Sequence, residues 1–192
     1  MKIALTGAHG VGKTTLLNVL RDELGGPSEV AICREVPRVI VRAAGEDTFF
    51  RRGENTPLRQ LLILFYQVIE EGLRSREADT VLADRTVIDH LAYTIVLFPE
   101  MVDSAEYTAL LNAARLWLPE YDLIMKLPIE FAVVDDGVRE ADAEFQAQID
   151  AAIDGIYAEL GVRPMVISGS VEQRTASVLG HLRALRSGGR LA

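Results

Sequence analysis

The chain has 192 residues, 49% of them hydrophobic and 25% charged, which suits one core, or one core with a small lid, and excludes a disordered or low-complexity protein. A net charge of −8 argues against a protein whose main task is gripping nucleic acid, because that affinity comes from neutralising phosphates. The single cysteine, Cys33, excludes an internal disulfide and a cysteine-rich zinc site, and no run approaches the ~20 apolar residues of a membrane span.

The apolar start before Gly7 is too short for a signal peptide, and with the lone cysteine this points to a cytoplasmic protein. The first expected strand, Lys2–Thr6, runs into Gly7-Ala8-His9-Gly10-Val11-Gly12-Lys13-Thr14. This satisfies the phosphate-loop pattern G-x-x-x-x-G-K-[ST] without a gap, and an amphipathic helix over Thr14–Leu24 follows. Wrapping a triphosphate in backbone N–H groups leaves no room for side chains, which accounts for Gly7, Gly10 and Gly12. Lys13 then reaches the β- and γ-phosphates, and the Thr14 hydroxyl is a magnesium ligand, with Val11 and Thr15 completing the nucleotide-binding stretch. His9 either touches a phosphate or the substrate, or serves as a spacer.

A second strand is expected at Val30–Cys33, followed by Arg34-Glu35-Val36-Pro37-Arg38. Ligands of open α/β sheets bind beyond the carboxyl ends of the strands. Glu35 is therefore placed to accept or orient an attacking hydroxyl, or else it is an acid at a helix start favoured by the dipole. Arg38 either binds a substrate phosphate or pairs with Glu35. The segment Thr48–Asn55 is aromatic and basic, suited to stacking a base or to a surface connection. A long helix is expected over Pro57–Ser75, its apolar positions being Leu58, Leu61, Leu62, Phe65, Val68, Ile69 and Leu73.

The third strand, Thr80–Ala83, leads into Asp84-Arg85-Thr86. An acid directly after an apolar strand holds magnesium in phosphate-loop proteins, and Arg85 can neutralise a transferring phosphoryl group; the plainer readings are a helix cap and an ion pair. Asp89 and His90 lie one turn on, with their roles open. Helices follow at Val87–Leu97 and Ser104–Trp117, a fourth strand at Leu123–Leu127, a helix at Ala141–Leu160 stopped by Gly161, a fifth strand at Met165–Ser168 and a last helix at Val171–Leu185. The tail over Ser187–Arg190 is expected to fray. Strands alternating with helices give an α/β fold of the P-loop NTPase type: a five-stranded, mostly parallel sheet with helices on both faces and a small lid, over residues 1–192 as one domain.

Three stretches, Thr6–Thr15, Arg34–Arg38 and Asp84–Asp89, together resemble the P-loop kinases that include bacterial nicotinamide riboside kinases, within the AAA-type P-loop ATPase domains. They are similar, more loosely, to deoxyribonucleoside and thymidylate kinases. The resemblance implies a substrate contact for Glu35 and a metal and phosphate role for Asp84 and Arg85. It implies a lid over about 129–145, with Arg139 reaching the phosphates, and an adenine-cradling loop at Ser168–Arg174 that includes Gly169. It also implies that Gln67, on the helix that reads the base in such kinases, contacts the acceptor, unless it is a helix-surface glutamine.

The expectation is thus an ATP- and magnesium-dependent kinase, monomer or homodimer, acting on a hydroxyl of a nucleoside- or nucleotide-like small molecule. Catalysis falls to Lys13, Glu35, Asp84, Arg85 and Arg139, substrate binding to Glu35, Arg38, Gln67 and Arg85, and metal binding to Thr14 and Asp84. A second reading keeps the chemistry and moves the acceptor into DNA, as in bacteriophage kinases of hydroxymethyl-pyrimidine bases, with the arginines at Arg34–Arg42 and Arg51–Arg59 holding a strand. A third is a P-loop ATPase or nucleotide-gated binding module without an acceptor, although the chain lacks the guanine-reading N-K-x-D of many switch proteins.

Overall fold

The computed structural model describes residues 1–35, 57–130 and 143–186. In chain order these form β1 (Lys2–Thr6), α1 (Lys13–Glu23), β2 (Val30–Cys33), α2 (Pro57–Glu77), β3 (Thr80–Asp84), α3 (Val87–Leu97), α4 (Ala105–Trp117), β4 (Leu123–Lys126), α5 (Ala143–Glu159), β5 (Met165–Val166) and α6 (Val171–Arg186). Arg38, Arg139, the segment 48–55, the tail 187–190 and all of the expected lid except its two ends lie outside the described residues.

Every residue of β1 and β3 is buried, as β-branched and aliphatic strands covered on both faces should be. The strands line up in the order β2-β3-β1-β4-β5, and all four pairings are parallel. Leu5 stands opposite both Asp84 and Met125, and Cys33 opposite Ala83. This register brings the carboxyl ends of β2, β3, β1 and β4 to one edge of the sheet, so Glu35, Asp84, Arg85 and the phosphate loop become neighbours. The fifth strand is shorter than its apolar run: only Met165 and Val166 pair as strand, though the Ile167 N–H still reaches Lys126 O at 2.8 Å.

Helices α1 and α6 pack together on one face, while α2, α3 and α5 lie in a row on the other, with α4 beyond α3. The core joins Ile3, Leu5, Leu82 and Met125 of the sheet to Leu16, Leu17 and Leu20 of α1, Ile88 and Leu91 of α3, and Ile149 and Ile153 of α5. At the start of α3 the Thr86 hydroxyl accepts from Ile88 N–H and the Asp89 carboxylate accepts from Thr86 N–H, a capping box.

Helix α2 departs from the amphipathic expectation. Leu62, Phe65, Ile69 and Leu73 are 38–59% exposed, whereas Gln60, Gln67 and Glu71 are buried. The apolar positions named from periodicity share one stripe, and the structure buries the opposite side, which carries Gln60, Ile63, Leu64, Gln67 and Glu71.

Ile153 is fully buried between α5 and α3. Ile153→Ala is expected to cost about 2–5 kcal/mol of unfolding free energy through lost transfer and the cavity left behind. Urea titration followed by far-UV circular dichroism measures it, with an unchanged m-value marking an intact fold.

Candidate active site

Leaving β1, Gly7 takes φ 139°, and a Cβ built there would lie 2.6 Å from Leu127 O, so a side chain has no room. Gly12 caps α1 with φ 90°, and that helix has neither a side-chain cap nor an acid in its first turn. Its leading N–H groups and positive dipole end face the loop, the arrangement that receives an anion. Lys13 Nζ folds back to donate to Gly7 O at 2.8 Å and Ala8 O at 2.6 Å. Burial, reinforced by the Arg85 charge, pulls its ammonium down to about 8. Thr15 is exposed at the rim, and Val11, inside the loop, is buried.

Two oxygens of the kind magnesium takes meet beside this loop. The Thr14 hydroxyl donates to Asp84 Oδ2 at 2.5 Å, joining the start of α1 to the end of β3. No group of three or more His, Cys, Asp or Glu side chains with metal-binding geometry exists among the described residues. A hydroxyl and a single carboxylate nonetheless fit an ion that draws its other ligands from phosphates and water.

Directly after Asp84, Arg85 adopts φ 100°, the one non-glycine residue with positive φ among the described residues. Its N–H still donates to Leu5 O at 3.0 Å. Its side chain reaches across to the end of β2, where Nε donates to Glu35 Oε1 at 3.0 Å and a terminal nitrogen forms an ion pair with the same oxygen at 2.8 Å. Both residues are nearly buried, so the pair is a fixed one rather than a solvated surface contact. The guanidinium also lies 4.7 Å from the Tyr93 ring centroid and donates to its hydroxyl at 3.3 Å. His9 Nδ1 is 3.2 Å from the same hydroxyl, and Phe145 packs against both rings. The His9 side chain therefore points to the Glu35 side of the loop, toward Tyr93.

Asp89 ties the two strand ends together. Oδ2 accepts from the Thr6 hydroxyl, Thr86 N–H and the Thr86 hydroxyl, each at 2.8 Å, and Oδ1 accepts from Gly7 N–H at 3.2 Å. On the far side of the phosphate loop, Arg174 donates to Val11 O at 2.7 Å and to Glu130 Oε2 at 2.5 Å. Gly169, φ 94°, donates its N–H to the same Glu130 carboxylate. The loop after β5 is thereby fastened to the phosphate loop. Gln67 is fully buried, with its amide N–H groups turned to Glu71 and to Arg85 O.

A family model described as an AAA domain (AAA_28) matches residues 2–174. The chain belongs to that AAA-domain family. Solved structures share the P-loop NTPase fold with it at low identity. A deoxyadenosine kinase from M. mycoides, holding dCMP and a flexible dCDP, aligns with a TM-score of 0.70 and 15% identity over 96% of this chain and 100% of its own. The NadR protein in complex with NR gives 0.71 and 18% over 100% of this chain and 52% of its own. Thymidylate kinase from Ehrlichia chaffeensis gives 0.64 and 20% over 95% and 98%. No curated protein matches the sequence.

Of three further contributors to this AAA domain's site, the sequence left the role of Asp89 open and did not single out Arg174 or Tyr93. Asp89 had a usable signal, Thr86-x-x-Asp89 before an apolar helix, which is a capping-box spacing. Arg174 lay in the loop expected to cradle adenine, but nothing in the sequence tied it to Val11. Tyr93 had no signal at all; two turns of α3 carry it back over Arg85.

His90 is buried beside this cluster, 3.5 Å from Gln67 Oε1, and burial, with the Arg85 charge adding to it, pushes its imidazole down to about 4. The folded state thus disfavours His90 protonation, so its contribution to stability is intact above pH ~6.5 and is lost as pH falls toward 4. His90→Gln is expected to flatten the stability profile across that window, as read from thermal unfolding midpoints of both proteins at matched pH values.

Proposed function

We propose that this protein is an ATP-dependent kinase that moves the γ-phosphoryl group to a hydroxyl of a nucleoside- or nucleotide-like acceptor. One observation carries the reading: a carboxylate at the end of β2, Glu35, is held rigidly by Arg85 next to a phosphate loop whose hydroxyl, Thr14, meets Asp84. A carboxylate fixed there can take a proton from an alcohol or from water, so it marks where the nucleophile stands, and the choice of a hydroxyl acceptor comes from the likeness to kinases. The fold shared with deoxyadenosine kinase, NadR and thymidylate kinase supports the same class.

In this mechanism the phosphate-loop N–H groups and Lys13 hold the β- and γ-phosphates. Thr14 and Asp84 supply ligands for magnesium, which when bound offsets charge on those phosphates. Glu35 accepts the acceptor hydroxyl's proton as the oxygen forms its bond to the γ-phosphorus and the bond to the ADP oxygen breaks. Arg85 does two things at once: it fixes Glu35 and puts positive charge beside the transferring group. Most of the rate enhancement comes from positioning and fixed charges, since the side chains form no covalent bond with the substrate. Arg174 and Gly169 would set the nucleoside end of ATP by holding the post-β5 loop against Val11.

Purified protein with labelled ATP and magnesium, screened against nucleosides, mononucleotides and oligonucleotides containing hydroxymethyl-pyrimidines, tests the assignment. Phosphorylated small-molecule product is expected, and Glu35→Gln should lower kcat by about 10²–10⁴-fold while ATP affinity stays nearly constant. Acceptor-independent ATP turnover that Glu35→Gln leaves untouched would replace the kinase with a plain ATPase, and label confined to the oligonucleotide would move the acceptor into DNA.

A further inference from the structure

Arg85 is held in a left-handed backbone conformation that costs a non-glycine residue about 1–3 kcal/mol and persists only where the surroundings enforce it. Its N–H is fixed by Leu5 O at 3.0 Å and its guanidinium by Glu35. The third tether is at its carbonyl, which leaves the β1–β3 ladder and accepts from Gln67 Nε2 at 3.2 Å.

Gln67 does not stand alone. The same Nε2 donates to Glu71 Oε1 at 2.6 Å, one turn along α2, and Oε1 of the amide faces His90 Nε2 at 3.5 Å. Glu71 is completely buried and is itself pinned by Tyr121 Oη at 2.8 Å, Trp117 Nε1 at 2.7 Å and Lys2 Nζ at 3.6 Å. Burial drives this carboxyl above the usual range despite those donors. Apolar residues of like volume would hold α2 on the sheet at no greater cost, so packing does not explain a buried acid and amide here. The one backbone group at the end of the chain Lys2–Glu71–Gln67 that a regular strand would not leave hanging is the Arg85 carbonyl.

We propose that Gln67, oriented by Glu71, is a positioning residue: it locks the Arg85 peptide so that the guanidinium is aimed at Glu35. Without it, a buried carbonyl loses its donor and the strained residue relaxes, swinging the guanidinium off the carboxylate. The amide acts through Arg85 and does not touch the acceptor. The kinetic half of this inference rests on the kinase reading; the structural half does not.

The structural arm is NMR of full-length protein labelled with ¹⁵N-arginine, in which Arg85→Lys identifies the Arg85 Nε–H signal. In Gln67→Leu, and in Gln67→Met as a second near-isosteric variant, that signal is expected to shift and lose protection from exchange. Glu71→Gln, which still offers an oxygen to the amide, should largely retain it. An Arg85 signal unchanged in the folded Gln67 variants overturns the proposal whether or not any acceptor is found. The kinetic arm predicts a kcat loss of about 10²-fold with ATP affinity, from displacement of a fluorescent analogue, within about twofold. It also predicts no further loss when Gln67→Leu is added to Arg85→Ala. Additive losses, or a raised acceptor KM at unchanged kcat, would overturn it in favour of direct acceptor contact.

Discussion

The Asp89 carboxylate is the joint on which the site is assembled. It accepts from Thr6 and Gly7 where β1 becomes the phosphate loop, and from Thr86 where β3 becomes α3. Past the Arg85 N–H bond to Leu5 O, the two adjacent parallel strands enter turns without further ladder bonds between them. A single buried carboxylate supplies those bonds and fixes how far the phosphate loop stands from Asp84 and Arg85. The Thr14–Asp84 contact and the Arg85–Glu35 pair both depend on that spacing.

Around this joint the charges alternate. Lys13 and Arg85 are buried cations, and Asp84, Asp89 and Glu35 are the anions set among them. Burying so many charges rarely adds stability, because desolvation consumes most of the Coulomb attraction. The depressed Lys13 and His90 equilibria register that cost directly. Under the proposed kinase reading, the negative charge of a triphosphate would complete the set. The aromatic group of Tyr93, Phe145 and His9 closes the Glu35 side of the loop, covering Arg85 with a ring face that tolerates a cation.

Helix α2 shows how a pattern can be read correctly as a helix and incorrectly as to its face. Seven apolar residues at helical spacing gave the element and nearly its end. The face carries Glu71 and Gln67, which find Trp117, Tyr121, Lys2 and the Arg85 carbonyl beneath them, together with the buried Ile63 and Leu64. Leucines and a phenylalanine were left outward. Burial removes the surface reading of Gln67. A glutamine in an apolar helix reads in sequence as a surface residue or a base reader, and in three dimensions both of its amide N–H bonds turn inward.

What the residues alone determined is local. The phosphate loop needs glycines at fixed offsets beside a lysine and a hydroxyl, so its chemistry is written in eight consecutive letters; the strand before it follows from a short unbroken apolar run and the helix after it from a period of 3.6. The acid and arginine after β3, and the acid after β2, were legible because strand ends are where such sheets keep their chemistry. Only the tertiary structure decided which of these touch. Glu35 and Arg85 are fifty positions apart, Arg174 and Val11 one hundred and sixty-three, and Gln67 and Arg85 eighteen. Contacts of that span depend on strand order and register, which are set by the burial of the whole sheet and leave no mark at any single position.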